Sequence, residues 1–387
     1  MKKIFFTALS ILLLLTALSD KSFSQKKAKS TSDDDDGNYS YSRNGHNPGE
    51  WDAVIKDDQV NIQFFGKDWN NGRNFPLAEF GSLPTDKVGE FTLNRESGKM
   101  TFKGVFVNHF GHGTYSFQQN AEFKAYLQQK GFTKLDEEMM MSVFFTDINK
   151  GYFEFLKENG YPTISNSQLR DLAEQNLTRK VFTDYFSLFK TEDWGHPSLD
   201  KIVELREHGV NAHFVNSFAE LGYKQKIPLE KALELRDHGV TAQFITSIQK
   251  MGYGNITLDK ATDLRDHGVN PEYINSIRNL GYKDMSLDRI ENLRDHGVSV
   301  EFINSMQQMG YKNITLDKAE ELRDHGVNPE FIKSIAALGF KDLTLDQAQE
   351  LRDHGVNAEF IKKMKNKGVK LQTLDDFIKL RDSGFNE

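Results

Sequence analysis

Six histidines occur in one recurring setting along this chain. His208, His238, His267, His296, His325 and His354 each follow an acid (Glu207, Asp237, Asp266, Asp295, Asp324 and Asp353) and precede a glycine (Gly209, Gly239, Gly268, Gly297, Gly326 and Gly355). An imidazole beside a carboxylate is the material of proton relays and of metal sites. Geometry opposes a metal shared between copies. Stacked helices lie about 8–10 Å apart, whereas each ligand must reach a zinc ion at about 2.0–2.1 Å. The metallopeptidase pattern of two histidines four apart around a glutamate does not occur in the sequence. The other reading is architectural. Each histidine would sit in the last turn of a helix, where its ring can bond unsatisfied carbonyls and the dipole favours an imidazolium. The adjoining arginines, Arg206, Arg236, Arg265, Arg294, Arg323 and Arg352, are then expected to form a ladder with the acids between copies. In "NHFGHG", His109 and His112 are three apart. They are the lesser candidates for a metal, with no third ligand marked, and a hairpin turn is the favoured reading. No Ser/His/Asp order, phosphate loop or carboxylate pair stands out, so no catalytic residue and no cofactor is assigned.

The elements that carry these residues follow from periodicity. Glycines in "LGY", "MGY" or a relative recur at Gly222, Gly252, Gly281, Gly310, Gly339 and Gly368, at an interval of 30 and then of 29 residues. A fixed period in this range marks a stacked array. One unit runs "TLDKAEELRDHGVNPEFIKSIAALGFKDL", Thr315 to Leu343. Thr315 caps a first helix, Asp317 favours its dipole and Gly326 ends it in the left-handed region. Asn328 caps a second helix that opens with Pro329 and ends at Gly339. The matching caps elsewhere are Asn211, Thr241, Asn270, Ser299 and Asn357. Helices of about ten residues are below the roughly 12–15 at which isolated helices become marginal in water, so stacking must hold them.

Upstream, Gly131 and Gly160 are again 29 apart, and "QNAEFKAYLQQKGF" matches "VNAEFIKKMKNKGV". Residues 119–197 therefore read as degenerate repeats, and 198–387 as six clear repeats plus a truncated copy, "TLDDFIKLRDSGF". The 62 residues from Gly160 to Gly222 are two periods plus four, and the four are placed in a loop near Glu192 to Gly195. Before the array, Val60, Ile62 and Phe64, Phe91 and Leu93, Met100 and Phe102, and Tyr115 and Phe117 alternate with other residues, the mark of half-buried antiparallel strands. Residues 49–118 read as a small β domain, with turns at "NRESGK" and "HFGHGT". The expected fold class is α+β, mainly α: a small antiparallel β domain followed by an α-solenoid of two-helix units.

The ends bound the compartment. Lys2 and Lys3, an apolar run from Ile4 to Leu18 and Ser22-Phe23-Ser24 read as a signal peptide over 1–24, the run being short of the roughly 20 residues of a membrane span. A retained anchor is the alternative. Residues 25–48, with Asp33 to Asp36, read as a disordered linker. The chain carries −7 and no cysteine; its first 24 residues contribute +2, leaving −9 on the remainder. That balance is a poor fit to a nucleic-acid binder, and the lack of cysteine excludes disulfides and thiol chemistry.

The units "LRDHGVNPEFIKSIAALGF", preceded by "FTLNRESGKMTFKG" and "GTYSFQQNAEF", resemble a group of exported bacterial envelope proteins of uncharacterised role. Their helical repeats are similar to those appended to some beta-lactam-sensor-type membrane metallopeptidases. The resemblance spans about 50–387 and implies an exported, periplasmic or secreted repeat module with a link to envelope sensing. The chain lacks the zinc motif and multi-span region of those peptidases, so protease activity is not carried over. The function expected is a non-catalytic interaction or scaffold protein that binds a protein or peptide in the cell envelope through its repeats. The alternatives are a ligand-binding or enzymatic β domain on a repeat stalk, and an accessory factor in envelope sensing.

Overall fold

The computed structural model describes residues 49–67, 69–223 and 226–384. The expected signal peptide (1–24) and linker (25–48) lie outside these. The chain begins with a six-stranded sheet: β1 (Glu50–Lys56), β2 (Gln59–Phe65), β3 (Asn70–Pro76), β4 (Gly89–Arg95), β5 (Gly98–Val107) and β6 (Phe110–Gln119). The order is β3-β2-β1-β6-β5-β4, with every neighbouring pair antiparallel. The alternating residues do face one core. Trp51 lies at its centre, with the Phe91, Phe102 and Phe106 rings 5.5–5.8 Å away.

Two local expectations need correction. "HFGHGT" is strand rather than turn: only Asn108 and His109 turn the chain, and Phe110 starts β6. The glycines serve packing, since a Cβ on Gly111 would stand 2.5 Å from the Phe106 ring, and one on Gly104 2.5 Å from Trp51. β3 was not expected at all. Its sequence, "NNGRNFP", buries only Phe75, so it has no alternation to read.

Eighteen helices follow among the described residues. They are α1 (Ala121–Gln129), α2 (Glu137–Phe145), α3 (Lys150–Glu158), α4 (Asn166–Glu174), α5 (Arg179–Glu192), α6 (Leu199–Glu207), α7 (Ala212–Glu220), α8 (Leu229–Asp237) and α9 (Ala242–Gln249). Then come α10 (Leu258–Asp266), α11 (Pro271–Asn279), α12 (Leu287–Asp295), α13 (Val300–Gln308), α14 (Leu316–Asp324), α15 (Pro329–Ala336), α16 (Leu345–Asp353), α17 (Ala358–Asn366) and α18 (Leu374–Asp382). Even-numbered helices are the first of each unit and odd-numbered helices the second. α1 is a lone second helix and α18 a lone first helix.

The predicted caps are in place. Asn211, Thr241, Asn270, Ser299, Asn328 and Asn357 each accept the backbone N–H three residues on. At the hinge inside each clear unit the glycine has φ of +66° to +69°. In the degenerate units Asp147 (φ +56°) and Asn176 (φ +51°) take its place, the residue types that best tolerate that region after glycine. The four extra residues do not form a loop. They lengthen α5 to 14 residues, against 8 or 9 in every other helix, and left-handed Asp193 then stands where a glycine ends the other second helices.

The sheet is not a separate body. Phe144 and Phe145 of α2 complete its core. Arg95 at the end of β4 donates to both their carbonyls, at 2.7 Å each, and pairs with Glu79 at 2.9 Å.

Candidate functional site

The recurring chemistry of the units meets at the joint between one unit and the next. Each histidine is the C-cap residue of its first helix, and its Nδ1 faces the aspartate of the following unit. His208 pairs with Asp237 and His238 with Asp266. The later pairs are His267–Asp295 (2.5 Å), His296–Asp324 (2.6 Å), His325–Asp353 (2.5 Å) and His354–Asp382 (2.8 Å). The ring was expected to bond its own helix's open carbonyls; it does not. The next unit's arginine takes that task. Arg236 Nε donates to the carbonyl of His208 at 3.1 Å, and Arg352 Nε to that of Gly326 at 2.8 Å.

The expected ladder exists with different partners. Among the described residues, Arg236, Arg265, Arg294, Arg323 and Arg352 each lie over an aromatic ring of the preceding second helix rather than against an acid, while Arg206 Nε donates to the Gln175 carbonyl at 3.2 Å. Arg352 stands 4.8 Å from the Phe331 centroid and Arg294 5.0 Å from Tyr273. This approach gives the hinge glycine a second duty, because a Cβ on Gly326 would stand 3.1 Å from Arg352 Nη2.

Two further ladders escaped the sequence reading. At the third position of the first helices, Lys231 pairs with Asp259, Lys260 with Asp288 (2.5 Å), Arg289 with Asp317 (2.5 Å) and Lys318 with Asp346 (2.6 Å). The tyrosine after "LG" or "MG" donates to a carbonyl just before the next unit's first helix: Tyr282 to Ile314 and Tyr311 to Leu343, both at 2.5 Å. The signal was present as an acid at position two and a cation at position three of successive copies. It became meaningful only once the copies were known to stack in parallel.

The hydrogen bond to the facing aspartate raises the pKa of His238, His267, His296 and His354 above the ordinary histidine value. Around His296 the facing acids are Asp324, Glu320 and Asp295. His296, Glu320 and Asp324 are also the one group among the described residues that brings three metal-ligand types together. Their charges are already matched, since Arg289 pairs with Glu320 and the imidazole bridges both acids. His109 and His112 are exposed, one in the β5–β6 turn and one on β6, and no third ligand joins them into such a group among the described residues.

Comparison with family models, with curated proteins and with solved structures gives no match. The joints must therefore be read on their chemistry. They engage the histidines, the third-position cations and their facing acids of the first-helix row in neighbour contacts. Large apolar side chains are exposed on the sheet's β5–β6 tip, where Val107 and Phe110 are 58% and 65% exposed. Among the described residues, no helix is long and apolar enough to cross a membrane.

Proposed function

We propose that the chain is a non-catalytic interaction protein of the cell envelope, binding a protein or peptide through its helical repeats. The observation that carries this reading is the division of labour between the two helix rows. First-helix side chains such as His296, Arg289 and Asp324 are committed to adjacent units, while exposed second-helix groups such as Asn216 and Asn275 have no side-chain partner among the described residues. A stacked array with one committed row and one open row is built to present a surface. The test is crosslinking in intact cells followed by purification of the full-length chain. The reading expects a discrete adduct with one or a few envelope proteins, and a chain recovered without adducts under conditions that trap other envelope complexes sinks it.

The exposed tip at Val107 and Phe110 supports a second reading, in which the β domain docks a ligand or partner and the repeats act as its stalk. Phe110→Ser separates the two, because only the second reading expects it to abolish the adduct.

A further inference from the structure

The second helices α7, α9, α11, α13, α15 and α17 pack one against the next in a row. At the fifth position of each stands a polar residue: Asn216, Thr246, Asn275, Asn304, Lys333 and Lys362. Asn216, Asn275, Lys333 and Lys362 are exposed, and Thr246 and Asn304 half-buried. None of the six has a side-chain hydrogen bond or ion pair among the described residues, in contrast to the serines that follow, where Ser217 and Ser334 bond their own helix carbonyls at 2.6 and 2.7 Å.

We infer that the row Asn216, Thr246, Asn275 and Asn304 holds the backbone of an extended peptide, whose acidic end lies against Lys333, Lys362 and Lys363. This deepens the interaction reading and rests on it. A carboxamide carries a donor and an acceptor, the complement of a peptide group. Packed helices are about 8–10 Å apart, and an extended or polyproline chain rises about 3.1–3.4 Å per residue. One unit therefore matches about three peptide residues, so each amide meets an equivalent peptide group. The lysine end supplies the charge. Lys362 and Lys363 are exposed and have no acidic partner among the described residues, in a chain whose net charge is −7. Glu330 and Glu359 lie three residues before Lys333 and Lys362 and are exposed, so the acidic residues belong on the side of Lys363, toward the helix C-termini.

A library of random 12-residue peptides displayed on phage, selected on the full-length chain, tests this. Enriched peptides should carry acids at one end. Affinity of a selected peptide should fall about tenfold or more, about 1.4 kcal/mol, on Asn216→Ala/Asn275→Ala/Asn304→Ala, and comparably on Lys362→Glu/Lys363→Glu, the latter loss shrinking in high salt. Alanine at exposed helix positions favours the helix, and circular dichroism checks that both variants keep it. No enrichment, or unchanged affinity in either variant, overturns the inference. Peptides that lose affinity only with Phe110→Ser leave the interaction reading standing and sink this surface. Displacement of the selected peptide by the chain's own segment 30–40, which contains Asp33 to Asp36, at equal or better affinity assigns the row to a second copy and overturns the assignment to another protein.

Discussion

At the scale of the residue, the recurring acid-histidine-glycine triplet divides into three tasks in three directions. The aspartate reaches back to the previous histidine, the histidine reaches forward, and the glycine makes room for an arginine arriving from the next unit. Of the three, the glycine is the hardest to replace by a β-branched residue. Gly326→Val places a β-branched residue at φ +68° and drives its Cβ against Arg352; we expect a loss of about 1–3 kcal/mol, read as a lower denaturant midpoint. His325→Gln should move that midpoint far less, because glutamine can still donate across the exposed joint. A His325→Gln loss equal to that of Gly326→Val would contradict this ranking. Tyr273→Phe belongs beside them. Its hydroxyl donates to the Val298 carbonyl at 2.7 Å and burial pushes its pKa up to about 12. Phe244, Phe302 and Phe331 nevertheless fill the matching place in other units. The cost should therefore fall at the low end of the roughly 1–3 kcal/mol for stranding a buried acceptor, measured in the same titration.

At the scale of the element, caps and hinges were legible because their chemistry is local. Asn328, Pro329 and Gly326 act on backbone within a few residues, and each was placed from its neighbours alone. The histidine was misread because its partner is 28 residues away, and only the parallel stacking of first helices sets that register. The α5 insertion was misread for a related reason. "EDWG" has the composition of a loop, but Phe182, Tyr185, Leu188 and Phe189 are buried and keep helical spacing to the end of the added turn, so packing overrides composition. The histidine ladder has a pH signature with a definite sign. His238, His267, His296 and His354 have folded pKa values raised above an unfolded value near 6.5. Their contribution is complete below about 6.5 and is lost as pH rises through the folded values. The thermal midpoint of the full chain should thus decline from pH 6 into the alkaline range, and a fourfold His→Gln variant should show a flatter profile over that interval. Superimposable profiles would make the ladder electrostatically silent.

At the scale of the whole molecule, the sheet serves as the first cap of the array, with its core closed by Phe144 and Phe145 and its seam pinned by Arg95. The Phe145 ring packs 4.8 Å from Phe64 at a tilt of 47°, so Phe145→Ala should cost about 3–5 kcal/mol. It should also split one unfolding transition into two, the sheet's near-ultraviolet signal departing before the helical signal; a single coincident transition would refute that coupling. The last described helix differs from the others by substitution. α18 takes the backward contacts through Asp382 and Arg381, but Ser383 and Asp376 replace the histidine and cation that would reach forward. From His238 to Asp382 the joints pair histidine with aspartate at the same 28-residue spacing, so these joints are close to interchangeable. Removing residues 297–325, one full period, would restore an intact "LRDHGV" and bring His296 against Asp353. Loss or gain of whole units would therefore change the length of the array while each joint keeps the same residue types, so reach can change without a new kind of contact.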